Sequence, residues 1–408
     1  MSLQKITTIL CDTDMHGMTC GLNAVYALMR TGINVTIFSH FSTNPNELTT
    51  TPTGLAQVIQ NLGQTNLIIL DIPIDIRNPK AYIDALISHA QFKGCILWAD
   101  HHGHSQWVDI LNKNGIIAII VGSSYDLSML IPRMYNVVDS FVEKWSLIGA
   151  LSDFDSSIAI KVDRTLEEDV CDILDQAYKT KLNDIMKMLD MPIYTSHGNI
   201  GSLIHAIIVK QLEPEQLINI AKQLVKPLQL PQYEIVGDIV YTTQLPPGGL
   251  AWKTAWKLCL VTGSKVAIVP TFNPRTNQYA IIIARYWKTD ENVAKTVDEF
   301  VTTKFTGRQI VGHLGARSIA LMNQNELQLI PQIARELDEE IRRKIYTPRI
   351  TRLISDQYVA QSIVNDFKII LQKITEILES QKRMYEEYLK LKEEQVKLLR
   401  QVRETRAD

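Results

Sequence analysis

Residues 94–102 read Gly-Cys-Ile-Leu-Trp-Ala-Asp-His-His, and this stretch guides the interpretation of the rest of the chain. The apolar residues predict a buried strand. Three side chains able to bind a metal ion, Asp100, His101 and His102, follow where the strand ends. In open α/β sheets, ligands bind beyond the carboxyl ends of the strands. The stretch therefore predicts a ligand site at this edge of a sheet, although the tripeptide alone is a weak signal.

Three more clusters of carboxylate or imidazole side chains follow apolar runs. The clusters are Asp12-Thr-Asp14-Met-His16-Gly17 after residues 7–11, Asp71 after residues 66–70, and Asp153-Phe-Asp155 after residues 148–152. A single Asp at the end of a strand is usually a helix cap or a turn residue. Four clusters in order within one domain are harder to explain in that way, and we expect them to converge on one crevice.

Apolar strand patterns alternate with helical patterns in the first part of the chain. Strands are predicted at 4–11, 34–41, 66–72, 94–99 and 115–122, and helices at 17–30, 53–61 and 78–91. This alternation predicts an α/β fold with a parallel sheet covered on both faces. Residues 124–225 are predicted to be mostly helical.

We place domain boundaries at changes in these patterns. The expected units are a first domain at 1–228, a smaller α/β domain at 233–323, a helical connector at 324–355 and a coiled-coil helix at 356–408. The second domain is predicted to contain a strand at 233–241, a helix near 250–261, a hairpin of strands 265–272 and 278–286, a helix near 291–304 and a loop at 307–317.

The last fifty residues step by three and four through a largely apolar series. The series is Ile363, Phe367, Ile370, Ile374, Ile377, Gln381, Met384, Tyr388, Leu391, Gln395, Leu398 and Val402, with charges crowding the positions between from Glu379 onward. This spacing is typical of a coiled coil, so a homo-oligomer formed through this helix is favoured. A long helix folded back on its own domain is the alternative.

Composition narrows the class of protein. The chain has 408 residues, 46% of them hydrophobic, and a net charge of −2, so charge alone gives no case for nucleic-acid binding. The five cysteines are widely spaced and form no zinc or redox pair, which favours reduced thiols in a cytoplasmic protein. No leader segment is expected, and no run reaches the roughly 18 apolar residues of a membrane span, so no membrane partner is predicted.

The clustered residues favour metal-assisted phosphoryl chemistry. Carboxylate and imidazole ligands without thiolate suit manganese or magnesium better than structural zinc. Two divalent ions about 3.5–4 Å apart can activate a water and stabilise an in-line phosphoryl displacement. Such a pair needs a bridging carboxylate, and Asp71 is the natural candidate because it stands alone after a middle strand. His102 could contact the phosphate or donate a proton.

These motifs resemble those of the DHH phosphoesterase superfamily, which is named for the tripeptide found here at Asp100-His101-His102. Asp12-Thr-Asp14-Met-His16-Gly17 resembles the first motif in the form of RecJ-type nucleases. Asp71 matches the second motif, and Asp153, with Asp155 as competitor, matches the fourth. Residues 311–318 resemble the Gly-Gly-His loop of the associated C-terminal domain in Gly312, His313 and Ala316. The resemblance covers roughly residues 4–323.

The resemblance implies roles for individual residues. Asp12, Asp14 and Asp71 would hold one Mn2+ ion, and Asp71, His101, Asp153 and the residue at position 16 would hold a second, with Mg2+ as an alternative metal. By the same resemblance, His102 and His313 would contact the substrate phosphate. Arg308, Gly312 and Arg317, which lie close to His313 in the sequence, are further candidates for substrate contact. For Arg317, a solvated surface position is an equal alternative.

His16 departs from the family, which has Asp at that position. The change removes one negative charge and could weaken the second ion or alter the preferred metal. Because the other ligands are present, the favoured function is a manganese-dependent phosphodiesterase acting on short oligonucleotides, cyclic dinucleotides or single-stranded nucleic acid. The alternatives are an inactive RecJ-like scaffold subunit of a replication or repair assembly, which His16 and the C-terminal helix favour, and a pyrophosphatase-like hydrolase.

Overall fold

A computed structural model describes most of the chain up to residue 346. The described residues are 6–39, 52–74, 79–101, 105–121, 126–153, 162–192, 196–246, 250–273, 277–313, 316–321 and 323–346. The chain divides into two compact units, Met1–Glu340 and Ile341–Asp408. The predicted coiled coil at 356–408 lies outside the described residues, and the domain boundary predicted near residues 228–233 falls within the first unit.

The first sheet has five parallel strands, as the sequence predicts. Strands β1 to β5 span Thr7–Cys11, Val35–Ser39, Asn66–Leu70, Ile96–Asp100 and Ile117–Ile120, in the order β2-β1-β3-β4-β5. Helices α1 to α4 span Met15–Arg30, Pro52–Asn61, Pro79–Phe92 and Val108–Lys113. This doubly covered parallel sheet confirms the predicted α/β class.

Successive residues of a strand point to opposite faces of the sheet, and here both faces are buried. Ile9 belongs to a core that includes residues of α1, whereas Leu10 belongs to a second core with residues of α2 and α3. This explains why the strands are apolar throughout instead of alternating.

A helical region follows the first sheet, in agreement with the prediction for residues 124–225. Helices α5 to α10 span Leu130–Met134, Ser140–Ser152, Arg164–Glu168, Asp175–Met188, Ser196–Val209 and Pro214–Leu224. Helix α6 packs against α1. Shorter 3-10 and π-helical segments span Ser105–Trp107, Leu127–Met129, Asp169–Leu174, Gln324–Leu329 and Arg342–Tyr346.

The second sheet has six strands in the order β10-β11-β9-β8-β7-β6. Strands β6 to β11 span Glu234–Val236, Ile239–Tyr241, Val266–Asn273, Gln278–Arg285, Ile310–His313 and Ala316–Ala320. Helices α11 to α13 span Ala251–Thr262, Glu291–Lys304 and Ile330–Ile341. All strand pairs are antiparallel except β7 with β8. The predicted hairpin of β8 and β9 and the helix at 291–304 are confirmed.

Two predictions for this sheet are wrong. Residues 233–241 form a hairpin of β6 and β7 and not one strand, because Gly237 reverses the chain at φ 56°, which a residue with a side chain rarely adopts. The loop predicted at 307–317 contains β10 and the start of β11, in which Ile310 pairs with Ile319 and Gly312 with Arg317. Its glycines resemble those of a loop, but β11 completes the hydrogen bonding of β9.

A buried carboxylate joins the helical region to the second sheet. Glu167 on α7 is fully buried, and its Oε1 accepts hydrogen bonds from Trp256 Nε1 at 2.8 Å, Tyr286 Oη at 2.7 Å and Trp287 Nε1 at 2.9 Å. Its Oε2 accepts from Lys288 Nζ at 2.7 Å. All four donors lie on α11 or directly after β9.

Across the described residues, the helices are too short or too polar for any of them to span a membrane.

Candidate metal centre

The order of the strands brings three of the sequence clusters to one edge of the first sheet. Asp12 follows β1, Asp71 follows β3, and Asp100 is the last residue of β4. Because β1, β3 and β4 are neighbours and run parallel, their carboxyl ends lie side by side. The convergence expected from the sequence is therefore a consequence of this strand order.

The turn from β1 into α1 orients the first cluster. Asp14 is the N-cap of α1, and its Oδ1 accepts a hydrogen bond from the backbone N–H of Gly17 at 2.8 Å. A Cβ atom at position 17 would lie 2.6 Å from the carbonyl oxygen of Asp12. Glycine is therefore required here for the close approach of the helix to the Asp12 backbone.

Asp71 lies at the centre of the site. Its backbone has φ 62°, the left-handed region that non-glycine residues seldom occupy, and its side chain is almost fully buried. Its Oδ1 lies 3.0 Å from Nε2 of His101, and its Oδ2 lies 3.0 Å from Nδ1 of His16. Strained backbone of this kind concentrates at functional sites, where the surrounding structure holds it in place.

Asp153 completes the group from the end of α6, where it is the C-cap residue. Its Oδ2 lies 3.3 Å from Nε2 of His101 and 3.8 Å from Nδ1 of His16. Gly149, one turn earlier, allows α6 to approach α1, since a Cβ there would lie 2.0 Å from Oγ1 of Thr19 and 3.4 Å from Cδ2 of His16.

The side chains form overlapping donor sets that could each hold a metal ion. Ligand atoms of Asp12, Asp14 and Asp71 all lie within 4.8 Å of one another, and so do those of His16, His101 and Asp153. The structure thus brings together all six residues for which the sequence predicts metal ligation. Asp71 belongs to the first set and borders the second, as a bridging carboxylate would.

Charges in the site are strongly coupled. Burial, together with the carboxylates of Asp71 and Asp153, raises the pKa of Asp14 to about 6. Burial alone would lower the pKa of His101, but the carboxylates of Asp71 and Asp153 raise it to about 9. Burial alone would raise the pKa of Asp71, but His16 and His101 hold it well below its usual range. In the metal-free protein, the two imidazolium groups therefore provide the positive charge that a bound cation would supply.

Two buried atoms in the site support its fit to a metal ion. Nδ1 of His16 and Oδ1 of Asp71 are close to neighbouring charged groups, yet neither makes a hydrogen bond of acceptable geometry with the described residues. Buried polar atoms are normally satisfied, so such atoms call for an explanation. Carboxylate oxygens and imidazole nitrogens within 4.8 Å of one another suit a divalent cation.

The predicted substrate-binding residues lie partly outside the described side chains. His102 is outside the described residues, and Gly312 and His313 are described only as backbone in β10. Arg308 forms an ion pair with Glu326, and Arg317 forms one with Asp298. The role of each in substrate binding stays a prediction.

Sequence reasoning missed two residues next to His16. Sγ of Cys20 lies 3.7 Å from Nε2 of His16, and Oδ2 of Asp126 lies 3.8 Å from the same atom. Cys20 is one helical turn after His16, a spacing visible in the sequence. Asp126 lies several residues after β5, and no spacing in the sequence connects it with His16.

Comparison of the sequence with known proteins gives no match, whereas comparison of the structure gives similar solved structures. No protein-family profile and no curated protein matches the chain. Among solved structures, it is similar to a pGpG-specific phosphodiesterase from Vibrio cholerae, with 10% identity, a TM-score of 0.43, and coverage of 82% of this chain and 100% of that chain. Exonuclease RecJ bound to manganese gives 11% identity, a TM-score of 0.41, and coverage of 82% and 90%. CDC45 from Entamoeba histolytica gives 9% identity, a TM-score of 0.35, and coverage of 82% of this chain and 95% of that chain.

The structure places each of the motifs found in the sequence at the end of a strand or helix. The first motif follows β1, the single Asp of the second motif follows β3, Asp100 and His101 end β4, and the fourth motif's Asp153 ends α6. The ordered motifs that the sequence analysis singled out are thus gathered on one edge of a five-stranded parallel sheet, and the solved structures named above are what the chain is similar to.

Proposed function

We propose that this protein is a two-metal phosphodiesterase that uses manganese ions and hydrolyses phosphodiester bonds in short nucleotides. The observation that carries the proposal is the position of Asp71, whose two carboxylate oxygens face different imidazoles at 3.0 Å each. One carboxylate between two sets of donors is the arrangement that a pair of divalent ions requires.

The chain would divide the ligands between two positions. Asp12 and Asp14 would hold one ion, His16, His101 and Asp153 would hold the other, and Asp71 would contact both. When bound, two such ions would supply an activated water and offset the charge that develops on the phosphoryl group. His101 must lose its proton to bind an ion, because a metal ligand needs the neutral imidazole.

Short substrates are favoured over long nucleic acid. The chain has a net charge of −2, whereas long strands are usually bound along a basic track. Two arginines were predicted from the sequence to contact the substrate. Each of them, Arg308 and Arg317, forms an ion pair with a carboxylate of the protein. Linear and cyclic dinucleotides need fewer phosphate contacts, so they suit this charge distribution better.

The direct test is hydrolysis of a panel of linear and cyclic dinucleotides and oligonucleotides, with manganese or with magnesium. Asp71→Asn and His101→Gln should each lower the rate at least about 100-fold if the donors act on the reacting phosphate through bound ions. His89→Gln is the control, because His89 is a buried histidine whose Nε2 lies 2.9 Å from the carbonyl oxygen of Thr65, outside the candidate site. Activity unaffected by the first two changes rejects the proposal.

His16 favours a second candidate function, that of a scaffold without catalytic activity. An inactive scaffold with this fold would no longer need the second ion, and His16 replaces a family carboxylate. A calorimetric manganese titration separates the two functions. Absence of binding from micromolar to millimolar manganese would favour the scaffold, and binding without hydrolysis of any nucleotide would direct the search to pyrophosphate.

A further inference from the structure

His16 and Cys20 lie one turn apart on the buried face of α1. Sγ of Cys20 is 3.7 Å from Nε2 of His16, and both side chains are about 1% exposed. Of the five cysteines, Cys20 is the one whose Sγ lies beside His16, a residue of the candidate metal centre. A buried cysteine is most often a small core residue, so a role for it needs further support.

That support comes from the spacing of three donors. A ring nitrogen of His16, Sγ of Cys20 and a carboxylate oxygen of Asp71 all lie within 4.8 Å of one another, and all three residues are buried. Zinc bonds of about 2.0–2.3 Å in tetrahedral geometry separate neighbouring donors by roughly 3.3–3.8 Å. Donors that lie within 4.8 Å of one another would therefore have to approach by at most about 1–1.5 Å to hold one ion.

A second, independent observation indicates a ligand at the same place. Nδ1 of His16 and Oδ1 of Asp71 are buried and make no hydrogen bond of acceptable geometry with the described residues. These atoms belong to the same residues that approach Cys20. Nδ1 of His16 faces Asp71, and Cys20 approaches the other ring nitrogen, Nε2, so the thiol and the buried polar atoms belong to one group of three donors.

We propose that Cys20 is a metal ligand and that His16, Cys20 and Asp71 hold a Zn2+-class ion, softer than manganese. The inference deepens the proposed two-metal function, because it takes from that proposal an ion between His16 and Asp71. A thiolate together with imidazole selects softer metals such as zinc, whereas a set made only of carboxylates suits manganese or magnesium. Binding replaces the S–H bond by a sulfur–metal bond, and the proton leaves to solvent.

This assignment accounts for the unusual residue at position 16. Histidine there removes one negative charge relative to the carboxylate that the family resemblance implies, and a thiolate at Cys20 restores it. Asp12, Asp14 and Asp71 would still form an all-carboxylate position for a harder ion. The centre would then be mixed, with one hard and one soft position that share Asp71.

Cobalt substitution of the full-length chain tests the proposal by spectroscopy and not by activity. Co2+ added to metal-free protein should give visible ligand-field bands and a near-ultraviolet sulfur-to-cobalt charge-transfer band. Cys20→Ser should remove the charge-transfer band and weaken zinc binding about 10-fold or more, with little change in manganese binding. Cys171→Ser is the matched control, since Cys171 is equally buried and its Sγ bonds the carbonyl of Leu151 at 3.2 Å.

The outcomes separate the two proposals. Ligand-field bands without a charge-transfer band in the wild-type protein would overturn the role of Cys20 and leave the two-metal function standing. No cobalt spectrum at all would overturn both. If Cys20→Ser does not fold by circular dichroism, X-ray absorption of the zinc-loaded wild-type protein still decides, because the proposal requires one sulfur at about 2.3 Å from zinc. A first shell without sulfur would reject it.

Discussion

Replacing Glu167 by glutamine is expected to lower the free energy of unfolding by about 3–4 kcal/mol. Glu167 is fully buried and accepts four hydrogen bonds, three at Oε1 from Trp256, Tyr286 and Trp287, and one at Oε2 from Lys288. Glutamine has nearly the same shape, so the change removes charge and one acceptor without opening a cavity.

The magnitude follows from the bonds that change. Hydrogen bonds to a charged group contribute about 1.5–3 kcal/mol each and neutral ones about 0.5–1.5, so three bonds to Oε1 lose roughly 1 kcal/mol apiece. The glutamine amide then faces the ammonium of Lys288, donor against donor. The Lys288 side chain is 31% exposed and regains water, so this contact adds only about 0–1 kcal/mol.

Urea unfolding followed by tryptophan fluorescence is the assay, since Trp256 and Trp287 contact the substituted side chain directly. Glu168→Gln is the control, because Glu168 pairs with Arg164 on the surface, where both side chains are about half exposed. That change should cost less than about 1 kcal/mol. If the two variants unfold within 1 kcal/mol of each other, the buried network does not stabilise the protein and the reasoning fails.

Three further predictions concern the metal centre. Because the pKa of His101 is raised from 6.5 to about 9, its imidazolium stabilises the metal-free fold below pH 6.5, and this contribution is lost as pH rises through about 9. Manganese affinity should therefore rise as pH rises through the same range. Manganese titrations by calorimetry at several pH values should show a weaker pH dependence of affinity for His101→Gln than for the wild-type protein. An equal pH dependence in the two proteins would contradict the role of His101 as a ligand. His16→Asp should tighten binding of the second manganese ion in the same titration, because it adds a negative, harder donor; weaker binding by a folded variant would show that imidazole is needed there. Gly17→Ala should lower stability by about 1–3 kcal/mol and weaken manganese binding, because the new Cβ would lie 2.6 Å from the Asp12 carbonyl. Gly63→Ala, whose Cβ would meet nothing within 4 Å, should change neither quantity, and equal thermal melts for the two alanine variants would refute the close approach.

Much of the fold is visible in local patterns. Apolar runs of strand length alternate with helical patterns, and the carboxyl ends of neighbouring parallel strands share one edge, so polar residues that follow those runs are brought together. Asp12, Asp71 and His101 were predicted on this basis, and they lie in one site. The hairpin at 234–241 was missed because a single turn glycine, Gly237, was included in an uninterrupted β pattern.

Local sequence patterns do not show which distant segments of the chain come into contact. Glu167 looks like an ordinary acidic residue of a short helix, yet its partners lie about 90 to 120 positions later in the chain. Cys20 has the pattern of a core residue. Its position one turn after His16 can be read from the sequence, but its approach to Asp71 depends on how α1 packs against β3.

Local chemistry along the chain thus specified which segments form strands and helices and which edge of the sheet collects the acidic and imidazole groups. The tertiary structure decided the left-handed backbone of Asp71, the burial of Glu167 among four donors and the approach of the Cys20 thiol to Asp71. The physical reason is range: strand and helix preferences act over a few residues, whereas distances between side chains depend on the packing of whole elements that are remote in the chain.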